Sequence, residues 1–385
     1  MDKRKKLLVT ASTFPRWEAD TEPRFVLDLC KHMTKWYDVT VLVPAAPGAK
    51  DQEVLEGVRI IRYHYFPVHA WETLCYPGAI VPRIREKKSR VLLVPFLLLA
   101  LYLQLWKRLP EYDIVHAHWL IPQGIVQSLF KKPYIVTGHG GDVMSLNKGI
   151  LKKWKRHCLR NAKKVTVVSE TLKEKIQEMF PEVQPEIISM GVDTSKFGRK
   201  YFAPDYFEQN GKKVVLFVGR LVEIKGVSYL IDAMKEVDGL LVIVGDGPIR
   251  SELQKQAESL GDKVVFLGSK SHDELKSVYA SSDLFCAPSV TTAKGEKEGL
   301  GLVILEAMAS GLPVVGSNSG GISQLIQDGV NGLLCEEKNS HEMAKKINLL
   351  LTDNEMREKV LENSAKTVKK FDYCSLAEKY AEIMK

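Results

Sequence analysis

Glu298 to Val315 reads EGLGLVILEAMASGLPVV, and the reading of the whole chain turns on it. Gly299 and Gly301 flank Leu300, so the backbone can take φ > 0 there or approach a ligand with no Cβ in the way. From Leu302 the pattern turns helical. Val303, Leu305, Ala307, Met308 and Ala309 suit a helix or a core, and Gly311-Leu312-Pro313 stops the run. Pro313-Val314-Val315 then reads as entry to a buried strand. A glycine loop opening a helix is a ready anion site, because unpaired N–H groups and the positive dipole end point at one spot.

Two carboxylates sit around that site. Glu298 precedes the loop, and the spacing E-x7-E puts Glu306 about one turn inside the helix, at ~1.5 Å per residue. A carboxylate in an apolar run is costly unless donors reach it. The hydroxyls of a ribose or a sugar would supply them; a salt bridge to a neighbour is the plainer alternative. That alternative leaves unexplained why glycines, a helix start and two acids converge here.

The pattern E-G-L-G-L-V-x-L-E-A-M-A-x-G-x-P-V-V resembles the donor-binding signature of the family 4 glycosyltransferases, retaining enzymes of GT-B fold. Leu300 stands where the family usually has Phe, which leaves the backbone role intact. The resemblance implies an α/β chain of two Rossmann-like, doubly wound domains facing a cleft. Residues 1–194 would be the acceptor-side domain, 195–371 would bind the nucleotide sugar, and 372–385 would return to the first domain. It further implies that Glu306 holds ribose hydroxyls and Glu298 hydroxyls of the donor sugar, with Gly299, Leu300, Gly301 and Leu302 around the diphosphate.

Upstream, the strand Val214–Val218 ends in Gly219-Arg220-Leu221-Val222-Glu223-Ile224-Lys225-Gly226. Taken alone, an Arg and a Lys on a strand end are most simply a solvated surface pair. With R-x4-K off one strand end, in a chain that also has E-x7-E, Arg220 and Lys225 read as the cations that neutralise a diphosphate. Leu240 to Gly247 is expected to be a strand plus a GDGP turn, and further strands are expected at Val264–Gly268 and Leu284–Ala287, alternating with helices as in a doubly wound sheet.

In the first half, strands are expected at 7–10 and 39–43 with a helix over 23–36 between them. The first loop, Ser12 to Pro23, carries Thr21-Glu22-Pro23-Arg24 where relatives often have a Gly-Gly pair, so it is not read as a phosphate grip. Asp113 to His118 reads as a strand running into a loop, with His116 and His118 either packing there or lining the acceptor side. Pro133 to Asp142 reads as a strand and glycine turn that place His139 at the ligand-binding edge of an open sheet. His-Gly-x-Asp is similar to the family's first-domain motif, whose His faces the donor sugar; His139 is therefore a candidate catalytic residue beside Glu298. Residues 187–197 resemble the family's interdomain crossing.

The length of 385 residues suggests two domains, since single cores rarely exceed roughly 250–300 residues. Six scattered cysteines without a C-x-x-C pair argue against a disulfide framework or zinc cluster and suit a reducing cytosol. The short basic start, MDKRKKLLVTAST, reads as a first strand rather than a secretory segment. The net charge of +8 is uneven: residues 1–195 hold 30 Lys/Arg against 20 Asp/Glu, the remainder 25 against 27. Residues 83–108 and 148–164 carry much of the excess.

Between the basic residues lies 91–106, VLLVPFLLLALYLQLW. Sixteen helical residues span about 24 Å, short of the roughly 30 Å of a bilayer core, so this is not read as a membrane crossing. It is either a core helix of the first domain or a helix lying in a membrane interface, flanked by cations.

The expected function is transfer of a sugar from a UDP- or GDP-linked donor to a hydroxyl, with retention. The acceptor would be a glycan or lipid-linked molecule, and the enzyme would be cytoplasmic, with an anionic membrane surface as a candidate partner. No cofactor or metal is expected, because the chain has no Asp-x-Asp pair to clamp Mg²⁺ or Mn²⁺. Three rival classes fit less well. A glycosidase needs acids on opposite sides of a bond, whereas Glu298 and Glu306 share one element. A nucleic-acid-binding protein would suit the basic half, but no nucleic-acid module is present. A nicotinamide dehydrogenase lacks its G-x-G-x-x-G after the first strand.

Overall fold

The structure is a computed structural model that describes residues 4–385 apart from 19, 21, 205, 208–210, 294 and 296. Ala19 and Thr21 of the first loop thus lie outside the described residues. The chain divides into two compact units: Met1–Ser189 with Tyr373–Lys385, and Met190–Asp372. The boundary falls at 189/190 rather than 194/195. Val192 bridges to Asp372 and its N–H donates to the Phe371 carbonyl at 2.9 Å, so the crossing segment 190–194 packs with the second unit.

The first unit is built on eight strands: β1 (Lys5–Thr10), β2 (Tyr37–Pro44), β3 (Gln52–Leu55), β4 (Val58–Tyr63), β5 (Ile114–His118), β6 (Tyr134–Gly138), β7 (Lys164–Val167) and β8 (Glu186–Ile187). Their order is β3-β4-β2-β1-β5-β6-β7-β8, all parallel except the β3/β4 hairpin, which the sequence reading does not assign. The inner parts of β1 (Leu7-Leu8-Val9) and β6 (Tyr134-Ile135-Val136) are buried apolar runs, as expected of strands covered on both faces. The helix Phe25–Met33 covers one face, and Tyr373–Met384 packs beside it, burying Tyr373, Leu376, Tyr380 and Met384 in the same core as Leu27 and Val41. Arg24, in the first loop, is engaged structurally: it pairs with Glu56 and donates to the Glu18 carbonyl at 2.8 Å.

The second unit carries β9 (Val214–Val218), β10 (Leu240–Val244), β11 (Val264–Gly268), β12 (Leu284–Ala287), β13 (Val314–Ser317) and β14 (Leu333–Cys335). All are parallel, in the order β11-β10-β9-β12-β13-β14. Cores form on both faces of this sheet, one around Leu216, Ile304 and Val314, the other around Leu230, Ile243 and Ile347. Both sheets reverse their strand order beside their first strand, the arrangement that opens a crevice at the strand C-termini.

The apolar segment 91–106 differs from its expected length. It belongs to a continuous helical stretch, Lys88–Glu111, of 24 residues, long and apolar enough to cross a membrane. At 1.5 Å per residue that is about 36 Å, so length no longer argues against a crossing. The core-helix reading accounts for one stripe only: Leu97, Leu101 and Leu105 are buried, while Leu92, Phe96, Leu99, Leu103 and Trp106 are exposed.

Candidate active site

The second sheet reverses between β9 and β12, and the loops leaving these two strands carry most of the expected site residues. After β9 the chain makes a short turn, Glu223–Lys225, and reaches Gly226 at φ +61°. A Cβ on Gly226 would stand 2.0 Å from the Pro288 carbonyl oxygen, so only glycine lets this loop close on the residue following β12. That closure delivers Lys225 to Glu298, and the ammonium and carboxylate form an ion pair. Ser289 Oγ donates to the same carboxylate oxygen at 3.5 Å, and the Gly299 N–H donates to the other at 3.2 Å. Two residues expected to act on different parts of a donor are therefore partners here.

Gly301 caps the helix Leu302–Ala309 in the left-handed region, at φ +73° and ψ +56°. The N–H groups at Leu302 and Val303 open the helix without intrahelical acceptors. Leu300 is 5% exposed and packs into the core with Ile304 and Ile322, so it can offer a ligand its backbone alone. Val218, Lys225, Ser289, Glu298, Gly301 and Ile304 line a small pocket at this point. Arg220 is exposed, and its guanidinium has no partner among the described residues. It is a cation just past the end of β9 that no described residue neutralises.

Glu306 is half-buried and accepts a hydrogen bond from Tyr279 Oη at 2.8 Å on Oε2. Tyr279 is fully buried, and burial together with the Glu306 charge holds its phenol well above the ordinary value, so it stays a donor. A neighbouring hydroxyl thus meets part of the carboxylate's demand.

The sequence reading misses Gly320-Gly321. A Cβ on Gly321 would lie 1.8 Å from the Gly299 carbonyl oxygen and one on Gly320 2.5 Å from that of Glu298, while the Gly321 N–H donates to Glu298 O at 3.0 Å. The pair holds the 298–301 backbone in place. The sequence shows a Gly-Gly dipeptide separated from the end of β13 by two residues, but not what that pair approaches.

In the first unit, His139 follows β6 and belongs to a histidine cluster. His118 Nδ1 and His139 Nε2 share a hydrogen bond at 2.9 Å, and His116 Nε2 meets Thr137 Oγ1 at 2.7 Å. Phe25 and Trp119 pack on the His139 ring, with centroids 5.1 and 4.9 Å away. Burial lowers His116 and His139 to about 3 and puts His118 well below its ordinary value, so all three are neutral near pH 7. Asp142 fixes the loop by accepting from the N–H groups of His139 (3.1 Å), Gly140 (2.9 Å) and Leu120 (2.8 Å). No group of three His, Cys, Asp or Glu side chains that could hold a metal occurs among the described residues.

Two doubly wound sheets of this topology make the GT-B fold. The chain belongs to the group 1 and family 4 glycosyltransferases: residues 200–367 match Glycosyl transferases group 1 and residues 23–196 match Glycosyltransferase Family 4. An uncharacterised glycosyltransferase of Methanocaldococcus jannaschii is 31% identical over 300 residues, covering 71% of this chain and 75% of the relative. Among solved structures, sucrose-phosphate synthase from Thermosynechococcus elongatus superposes with a TM-score of 0.77 at 22% identity, over 99% of this chain and 98% of that one. HepE from Anabaena, solved with UDP and glucose, gives 0.71 at 22% identity over 99% of each.

Proposed function

We propose that the chain moves a sugar from a nucleoside diphosphate sugar, UDP- or GDP-linked, to a hydroxyl of a glycan or lipid-linked acceptor, with retention at the anomeric carbon. The observation that carries this reading is the glycine-opened helix Leu302–Ala309, whose capping Gly301 lines one small pocket with Lys225 and Glu298. Charge grows on the departing diphosphate, and donors already in place stabilise it without reorganisation. Arg220, Lys225 and the N–H groups at Leu302 and Val303 would do this. Glu306, steadied by Tyr279, would hold ribose hydroxyls, and Glu298 sugar hydroxyls. His139 keeps the role that the family resemblance gives it, orienting the donor sugar as a neutral ring. The leaving phosphate would take the acceptor proton. The reading is supported by HepE, a protein of the same fold that was solved with UDP and glucose.

Thermal stabilisation by UDP, GDP, their sugar derivatives, NAD and duplex DNA tests the reading. A ligand at a hundred times its Kd should stabilise by about 2.7 kcal/mol. The expected result is stabilisation by one nucleoside diphosphate and its sugars, undiminished in EDTA; stabilisation by NAD or DNA instead would overturn it.

A further inference from the structure

The helical stretch Lys88–Glu111 is apolar on two opposite faces. Leu97, Leu101 and Leu105 repeat every fourth residue and are buried in the first unit. Phe96, Leu99, Leu103 and Trp106 are spaced 3, 4 and 3 apart, which at 3.6 residues per turn places them about 180° from the buried stripe. They are 44%, 57%, 50% and 67% exposed. Trp71, 60% exposed, extends this surface: it stacks on Phe66, and Phe66 packs edge-on against Phe96. A monomer in water does not keep such a stripe without a use.

The charges at its ends are mainly cationic, with Glu86 and Glu111 the acids among them, and most of the cations are free of ion pairs among the described residues. Glu86 pairs with Arg83 at 2.7 Å and Arg90 at 3.0 Å. Arg85, Lys87, Lys88 and Lys107 are exposed and have no ion-pair partner among the described residues. A second copy of the chain fits this face poorly. Antiparallel helices would set Arg85-Lys87-Lys88 against Lys107-Arg108, and parallel helices would set each cluster against itself, so like charges meet either way. An anionic surface with an apolar interior answers both features at once.

We propose that this outward face docks on an anionic lipid bilayer, lying in the interface plane. Phe96, Leu99, Leu103 and Trp106 enter the acyl boundary while Arg85, Lys87, Lys88 and Lys107 meet headgroups. The buried stripe keeps the helix on its own domain, so docking needs no unfolding.

Flotation with vesicles of phosphatidylcholine alone, and of an equal mixture with phosphatidylglycerol, tests it. The protein should float with the mixed vesicles at low salt, come off at high salt, and ignore phosphatidylcholine. Each cation removed should cost about fivefold in partitioning, the equivalent of about 1 kcal/mol, so Arg85→Gln/Lys87→Gln/Lys88→Gln should weaken binding roughly a hundredfold. Leu99→Gln/Leu103→Gln should also release the protein, and Trp106→Phe should remove part of the quenching by brominated lipid. These positions are exposed, so thermal midpoint and nucleotide affinity should stay at wild-type values, which keeps the outcome separate from that of the transfer reading. Three results would overturn the proposal: no flotation at low salt, undiminished binding by the triple variant, or a solution dimer that Leu99→Gln/Leu103→Gln splits.

Discussion

Lys225 and Glu298 form an ion pair that ties the loop after β9 to the loop after β12. Neither side chain is fully exposed, at 21% and 15%, so the pair is worth more than a surface contact and removing one member leaves the other partly buried and alone. Glu298→Gln keeps the shape and the Ser289 contact but deletes the charge. If the Glu298 contact with the sugar strengthens in the transition state, kcat should fall by about 10- to 100-fold with little change in donor KM. A change confined to KM would remove Glu298 from the transition state.

Glu306 should behave differently. Its ribose contact would be made equally in ground and transition states, so Glu306→Gln should mainly raise the donor KM. Tyr279→Phe deletes the donor on Oε2 and should destabilise the fold by about 1–3 kcal/mol, with a smaller rise in KM. Steady-state kinetics and urea unfolding would show it; identical kinetic profiles for Glu298→Gln and Glu306→Gln would contradict the division of roles.

Gly301→Ala isolates the backbone. At φ +73° a side chain is strained, and the new Cβ would sit 3.1 Å from Ile304 Cδ1. We expect a loss of about 1–2 kcal/mol in stability and weaker donor binding, read by thermal unfolding and calorimetry. Wild-type affinity for the donor would mean that the helix start does not touch it.

Much of the second unit was readable because its signals are local. Gly299 and Gly301 leave the backbone free to take φ > 0, as Gly301 does, and the apolar runs at β9, β11 and β12 coincide with the observed strands. The Gly320-Gly321 clamp was not readable, since what it approaches lies some twenty residues back and only β13 brings it there. Tyr279 was invisible as a partner of Glu306 for the same reason. Segment 91–106 defeated periodicity outright: with Leu on both faces hydrophobicity has no phase, and only the fold shows that Leu97, Leu101 and Leu105 are the inner ones.

The histidine cluster gives the fold an acid sensitivity. Folded His116 and His118 lie below the ordinary 6.5, so as pH falls the unfolded chain takes up protons first. The stability tied to His116 is complete above that value and is lost progressively down toward about 3, by about 1.4 kcal/mol per pH unit, and burial of His118 acts in the same direction. The urea midpoint should therefore drop between about pH 7 and about pH 5, and His118→Asn should flatten that slope. A midpoint constant over this interval in the parent protein would refute the burial of neutral rings.

In the proposed reaction Arg220 and Lys225 would grip the diphosphate of the donor. Calorimetric titration of the donor nucleoside diphosphate into the parent protein and into Arg220→Ala, Lys225→Ala and the double variant tests it most directly. Each single change should cost on the order of 2–4 kcal/mol across binding and turnover, as for a lost oxyanion donor. Arg220→Ala should do so with no loss of thermal stability, because its guanidinium has no partner among the described residues. A double variant that binds and turns over near the parent level would contradict the account.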